Sequence, residues 1–223
     1  MVNACPRAGT RAINLSRSAA EGSLHVAVDL TDPAGWAETA ATFERELRAF
    51  KGKRAVLVHS AGTLTPIGFA GEMDAAAYRR NILLNSAAPQ IVGDAFLRAL
   101  ADHPCDAVLL FIGSGASSAP YAGWSGYCGG KAAVDQWVRT VGLEQAARGG
   151  RRQVLCVAPG IVQTAMQAEI RDTSERDFPE VAKFIELHES GALRSAEEVA
   201  VQLWTVLDDP AVENGAVMDL RNS

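Results

Sequence analysis

Six short runs rich in apolar and β-branched residues recur along the chain, at 12–16, 24–29, 55–60, 107–113, 153–158 and 216–219. Most are continuous, as in Val108-Leu109-Leu110-Phe111-Ile112, rather than alternating with polar residues. That pattern belongs to strands covered on both faces. Segments with helical spacing separate them, near 33–50, 74–101, 125–148, 164–190 in broken form, and 196–208. Two helix starts are marked: Thr31-Asp32-Pro33 puts a capping residue ahead of a proline, and Ser195 with Glu198 has capping-box spacing. Alternation of this length requires right-handed crossovers, which predicts an α/β fold built on a doubly wound parallel sheet. No internal repeat or low-complexity linker divides the 223 residues, so 1–223 reads as one domain, with Gly149-Gly150-Arg151-Arg152 a loop inside it.

Composition narrows the function classes. The net charge is −5 with no basic stripe, which speaks against a nucleic-acid surface. No apolar run approaches the roughly 20 residues of a spanning helix, so no membrane partner is expected. Cys5, Cys105, Cys128 and Cys156 lie far apart and form no CxxC pair. Met1 to Ala12 offers no apolar signal segment, and with reduced thiols this predicts a cytoplasmic protein. His25, His59, His103 and His188 lack ligand spacing, so no metal is expected. Trp36, Trp137 and Trp204 occupy apolar helix positions and read as packing residues.

Chemistry concentrates in Ser114, Tyr127 and Lys131. Tyr127 and Lys131 are four residues apart, which places them on one helix face. A phenol titrates near pH 10, and an ammonium one turn away favours the phenolate and lowers that value. Ser114 follows the apolar run 107–113 and so belongs at a strand's carboxyl end, where open α/β sheets bind ligands. A hydroxyl there can hold a substrate carbonyl while Tyr127 protonates the same oxygen. A competing reading takes Gly126-Tyr127-Cys128-Gly129-Gly130 as a nucleophile elbow with Cys128 as nucleophile and His188 as its base. An elbow needs a strand leading into it, and Ala119 to Ser125, with Pro120 and Gly123, reads as a loop.

From Ala12 onward the chain resembles the short-chain dehydrogenase/reductase family. The serine followed thirteen residues later by Tyr-x-x-x-Lys is present as Ser114 with Tyr127 to Lys131. The Asn-Asn-Ala-Gly strand end is partly matched by His59-Ser60-Ala61-Gly62, and the active-site asparagine by Asn85, with Asn81 a weaker match. The Pro-Gly loop with its downstream threonine is Pro159-Gly160-Ile161-Val162-Gln163-Thr164. The surroundings of Tyr127, from Pro120 to Cys128, look most like the sepiapterin reductase and benzil reductase branch. The resemblance implies a Rossmann-like fold and an oxidoreductase that reduces a ketone or diketone, or oxidises the alcohol, by hydride transfer. Ser114, Tyr127, Lys131 and Asn85 would be its catalytic set, with Tyr127 the general acid or base. Cofactor contacts would fall to Ser16, Arg17, Asp29, Leu30, Ser60, Ala61, Gly62, Pro159, Gly160, Ile161, Val162 and Thr164. Gly115, Tyr121, Trp124 and Met166 would line the substrate pocket, with 163–193 as its cover. Ser16 stands where NAD-preferring relatives carry a carboxylate, and Arg17 suits a 2′-phosphate, so the cofactor implied is NADP(H). A homodimer or homotetramer would form through the helices near 74–101 and 125–148.

One departure is large. The family's Thr-Gly-x-x-x-Gly-x-Gly turn, which holds the pyrophosphate at a helix N-terminus, has no counterpart in residues 1–11. These residues read as the remnant of a first helix and its loop, in a chain that starts late relative to the family pattern. The first strand and first helix are then expected to be lacking and the nucleotide site incomplete. A non-catalytic or cofactor-binding-impaired member is the alternative this leaves open. Gly129 and Gly130 depart in a smaller way, being poor helix formers inside the helix that carries Lys131.

Overall fold

The computed structural model describes residues 1–222. Strands form at Ile13–Ser16 (β1), Leu24–Ala27 (β2), Arg54–His59 (β3), Asp106–Ile112 (β4), Arg152–Ala158 (β5) and Val217–Asp219 (β6), and every pairing is parallel. Helices form at Pro33–Ala49 (α1), Ala75–Ile82 (α2), Ala88–Ala99 (α3), Ser125–Ala147 (α4), Ala165–Arg171 (α5), Val181–Glu189 (α6) and Ala196–Asp208 (α7). Both marked starts cap as expected: Asp32 accepts from the Ala34 N–H, and Ser195 with Glu198 closes a capping box.

The strands divide into a pair, β1-β2, and a ladder in the order β3-β4-β5-β6. Among the described residues no ladder joins β1 to β3, the break that a missing first strand predicts. Both parts share one core nonetheless, since Leu15 and Val26 pack with Leu57, Leu109 and Phe111. Residues 1–11 form turns, not the helix remnant expected of them. Pro6 has no N–H to give a helix, and Gly9 turns the chain at φ 74°. The segment docks on α7 instead, where Trp204 Nε1 donates to the Met1 carbonyl at 2.9 Å and Arg7 pairs with Asp208.

Both faces of the β3–β6 ladder are dry, which is why its strands read as continuous apolar runs. Leu109 and Phe111 point one way, to Val92, Phe96, Val134 and Val138 of α3 and α4. Val108 and Leu110 point the other, to Val199, Leu203, Trp204 and Leu207 of α7. A third cluster, including Leu64, Ala116, Tyr127 and Phe178, gathers residues that follow β3 and β4 with α4, α5 and α6.

The segment expected as one helix over 74–101 is interrupted by a π turn, Leu83–Ala87. Pro89 is the physical reason. It has no N–H for the Asn85 carbonyl four residues back, so a regular ladder cannot run through, and Ala88 N–H reaches back to the Leu83 carbonyl.

Candidate active site

β4 delivers Ser114 to the carboxyl end of the sheet. Gly113 precedes it because a Cβ there would lie 2.9 Å from Cys156 Sγ. Ser114 then caps a 3₁₀ turn, its Oγ accepting from Ala116 N–H at 3.2 Å. α4 brings Tyr127 and Lys131 to the same place, both buried. Lys131 Nζ donates to the carbonyl of Ile112, the last residue of β4, at 2.8 Å and stands 5.6 Å from the Tyr127 ring centre.

The electrostatics differ from the sequence expectation. Burial pushes the Tyr127 phenol up, the Ser114 hydroxyl opposes this by favouring the phenolate, and Cys128 adds to the rise. The net direction is upward, not the depression expected from Lys131. The ammonium is aimed at the Ile112 carbonyl rather than the phenol, so desolvation of a ring only 7% exposed decides the sign. Lys131 is itself pushed down by burial, against opposing pulls from Cys156 and Asp135.

The π turn places Asn85 beside this pair. Its Oδ1 accepts from Thr63 N–H at 3.1 Å, and its Nδ2 donates to Thr63 O at 2.8 Å and to Asn81 Oδ1 at 2.9 Å. Asn81 joins the same network, its Nδ2 shared by the carbonyls of Thr63, Leu64 and Thr65. α4 can approach this turn because of its glycines. A Cβ on Gly126 would lie 2.8 Å from Asn81 Oδ1, and one on Gly130 2.7 Å from Asn85 Cβ. Gly129 faces open space, with nothing within 4 Å of a Cβ.

Whether these residues fit a nicotinamide cofactor can be tested on the molecule itself. At Gly62 the space of a missing Cβ lies 3.1 Å from Asn85 Oδ1 and 3.8 Å from Lys131 Nζ, a small polar cradle beside the catalytic candidates. Ser60 is exposed at the end of β3, and Ala61 and Gly62 follow half-buried. The loop after β5 turns at Gly160 (φ 79°), and Ile161 and Gln163 are tied to Arg194 by backbone bonds of 3.0 and 2.9 Å. Val162 bridges Arg194, and Thr164 precedes α5 with its side chain free of capping duty. At the adenosine end, Ser16 Oγ donates to Ser18 O at 2.7 Å, and exposed Arg17 acts on Asp29. Asp29 accepts from Thr31 N–H and Oγ1 at 2.9 and 2.8 Å, bonds that hold its carboxyl below the usual range, while Leu30 is buried. The nicotinamide end therefore fits, whereas the described residues place no glycine-rich turn where a pyrophosphate would need one.

The expected pocket residues part company. Tyr121, Met166 and Gly115 are half-buried, the first two packed on the cluster that holds Tyr127, with Arg221 Nη2 3.2 Å from a Cβ on Gly115. Trp124 instead is enclosed, stacked on Phe178 with ring centres 4.4 Å apart and a 5° interplanar angle. Together with Phe184 this aromatic contact ties the residues around Phe178 to the start of α4. Cys128 sits inside α4 with no strand leading to it, and burial pushes its thiol up, away from the thiolate a nucleophile needs.

Two contacts are visible only in the folded chain. His59 is buried, stacks on Phe111 at 5.8 Å, and leaves Nε2 without a hydrogen-bond partner. Asp135, one turn beyond Lys131, accepts the Cys156 thiol at 3.1 Å. The i+4 spacing from Lys131 was the available signal for Asp135.

The family profile described as short chain dehydrogenase matches residues 4–175. A benzil reductase ((S)-benzoin forming) of Bacillus subtilis (strain 168) is 36% identical over 165 residues, covering 74% of this chain and 68% of that protein. Its Bacillus cereus counterpart is 33% identical over 162 residues, covering 73% and 65%. Sepiapterin reductase of Mus musculus is 31% identical over 180 residues, covering 78% and 67%. The aligned part thus spans about two thirds of the length of these relatives. Among solved structures, the KRED1-Pglu enzyme superposes with a TM-score of 0.71 at 27% identity, covering 88% of this chain and 79% of that one.

Proposed function

Because this chain belongs to the short-chain dehydrogenase/reductase family, an oxidoreductase family, we propose that it reduces a ketone or diketone with NADP(H). The observation that carries the reading is the meeting of Ser114, Tyr127, Lys131 and Asn85 at the carboxyl ends of β3 and β4. Ser114 Oγ holds the carbonyl oxygen of the substrate, and Tyr127 gives that oxygen its proton. Burial keeps Tyr127 a phenol at neutral pH, which is the state a donor needs. As the proton leaves, the buried Lys131 ammonium and the Ser114 hydroxyl stabilise the phenolate that remains. Lys131 then passes a proton to the Tyr127 phenolate, and a water at the cradle beside Gly62, which Asn85 and Lys131 flank, returns one to Lys131. A bound nicotinamide supplies the hydride; Thr164 and the Pro159–Val162 loop are its holding residues. The covering segment, fastened by Trp124 and Phe178, keeps bulk water away.

The preference for NADP(H) rests on Ser16, which ends β1 where a carboxylate would serve NAD, and on exposed Arg17, a cation that also acts on Asp29. The similarity to benzil reductases makes an aromatic diketone the substrate to try first. The test follows NADPH and NADH consumption with benzil. Wild type should prefer NADPH, and Arg17→Ala should narrow that preference at least tenfold, one charge-assisted phosphate contact being worth about 1.5–3 kcal/mol. Equal use of both cofactors by wild type overturns the NADP(H) assignment. A second reading, a cofactor-binding-impaired member, is favoured by one observation: residues 1–11 form turns that dock on α7 and give no glycine-rich cradle. Binding of NADPH to the chain, measured without substrate, separates the two.

A further inference from the structure

Lys131 has a problem of its own. It is a buried cation at a sheet end, and burial favours its neutral form. An uncharged amine there would neither donate to the Ile112 carbonyl as an ammonium nor stabilise a phenolate on Tyr127. Something in the protein has to hold the charge in place.

The groups facing Lys131 come from four elements and the π turn. β4 offers the Ile112 carbonyl at 2.8 Å. β3 offers His59, whose imidazole is driven to a pKa of about 3 by burial and by Lys131, so it is neutral at any working pH. β5 offers Cys156, whose thiol is pushed far up by burial and by Asp135 and stays protonated. The π turn offers the Asn85 amide, which carries no charge. α4 itself offers the Tyr127 phenol, Asp135 and, further along, exposed Arg139, which acts on Cys156. Of these facing groups the Asp135 carboxylate supplies the compensating negative charge. It is 6% exposed and one helical turn from Lys131, and no direct ion pair joins the two. Its Oδ1 is taken by the Cys156 Sγ–H at 3.1 Å, which holds the carboxylate inside the protein, within electrostatic reach of the ammonium, rather than letting it turn to solvent. Cys156 belongs to a cross-strand row, His59–Phe111–Cys156.

We propose that Asp135, anchored by the Cys156 thiol, is the positioning residue that keeps Lys131 charged for its work on Tyr127. It acts through Lys131 and touches no substrate. The inference rests on the reading of Tyr127 and Lys131 as the working pair, and it is tested separately from that reading.

The chain has four lysines, Lys51, Lys53, Lys131 and Lys183, so ¹³Cε-lysine labelling gives four signals to titrate by NMR. The signal absent from Lys131→Arg is that of Lys131. Wild type should keep Lys131 charged at neutral pH. Asp135→Asn, which preserves an acceptor for the thiol, should lower the Lys131 midpoint by about one unit or more, tenfold in proton affinity, and Asp135→Glu should restore most of it. In NADPH-dependent benzil reduction, Asp135→Asn should lower kcat with little change in KM for benzil. An unmoved Lys131 titration in Asp135→Asn overturns the inference even in an active enzyme. If Asp135→Asn does not fold, a wild-type Lys131 that is neutral at pH 7 overturns it equally. Failure of wild type to reduce any ketone counts against the proposed function and leaves the titration to decide on Asp135.

Discussion

Gly129 and Gly130 are neighbours in one helix, yet alanine at each should act in opposite directions. At Gly130 a Cβ would lie 2.7 Å from Asn85 Cβ, 3.2 Å from its carbonyl carbon and 3.3 Å from its carbonyl oxygen. Two of those atoms are backbone in the π turn and cannot rotate away. Overpacking of this kind costs about 1–3 kcal/mol, and the gain of about 1 kcal/mol in helix propensity offsets only part of it. Gly130→Ala should therefore lower stability by about 0–2 kcal/mol. Its larger effect falls on the site, because the turn that yields carries Asn85, whose Oδ1 borders the Lys131 cradle. A displacement near 1 Å can cost about 10²-fold in rate, so a loss of roughly ten- to a hundredfold in kcat is expected. At Gly129 nothing lies within 4 Å of a Cβ, and alanine should stabilise by about 0.5–1 kcal/mol with kcat unchanged. Urea unfolding and NADPH consumption with benzil read both effects. If Gly130→Ala matches Gly129→Ala in stability and rate, α4 does not need its close approach to Asn85.

Acid should find His59 before most other groups. Its pKa is 6.5 when exposed and about 3 in the fold, because burial and Lys131 disfavour the cation. The unfolded chain binds the proton first, so this contribution is complete above pH 6.5 and is lost as pH falls toward 3. The difference of about 3.5 units corresponds to roughly 4–5 kcal/mol over the whole window and to about 2 kcal/mol by pH 5. His59→Gln should flatten the fall measured by urea unfolding between pH 7 and 5, and parallel curves would remove His59 as the cause. Cys128→Ala should keep ketone reduction, and iodoacetamide should leave the wild-type enzyme active. Loss of activity in either case would favour the cysteine reading.

The sheet was legible because its chemistry is local and repetitive. Continuous apolar runs such as 107–113 can satisfy both dry faces only as covered parallel strands, and both caps, Asp32 and Ser195, formed as their side chains dictate. The break between β1 and β3 was legible too, since residues 1–11 contain neither a strand pattern nor a glycine turn. What resisted reading depends on contacts between distant segments. The π turn at Leu83–Ala87 is written in Pro89, but its use appears only when Gly130 of α4 lies against Asn85. The sign of the Tyr127 shift is likewise a tertiary quantity. Spacing from Lys131 argues for depression, whereas burial among Trp124, Phe178 and their neighbours raises it against the opposing Ser114 hydroxyl. Trp124 reads from the sequence as a pocket-lining residue, and its enclosed stack on Phe178 is again a contact between distant segments.

The proton-donating role of Tyr127 is tested most directly by single-turnover reduction of benzil with saturating NADPH, wild type against Tyr127→Phe. Removing one hydroxyl from a buried ring leaves the aromatic packing in place, so unfolding midpoints should stay close. The rate of NADPH oxidation should fall by about 10²–10⁴-fold. A phenylalanine variant that turns over as fast as wild type would show that the carbonyl oxygen takes its proton from elsewhere.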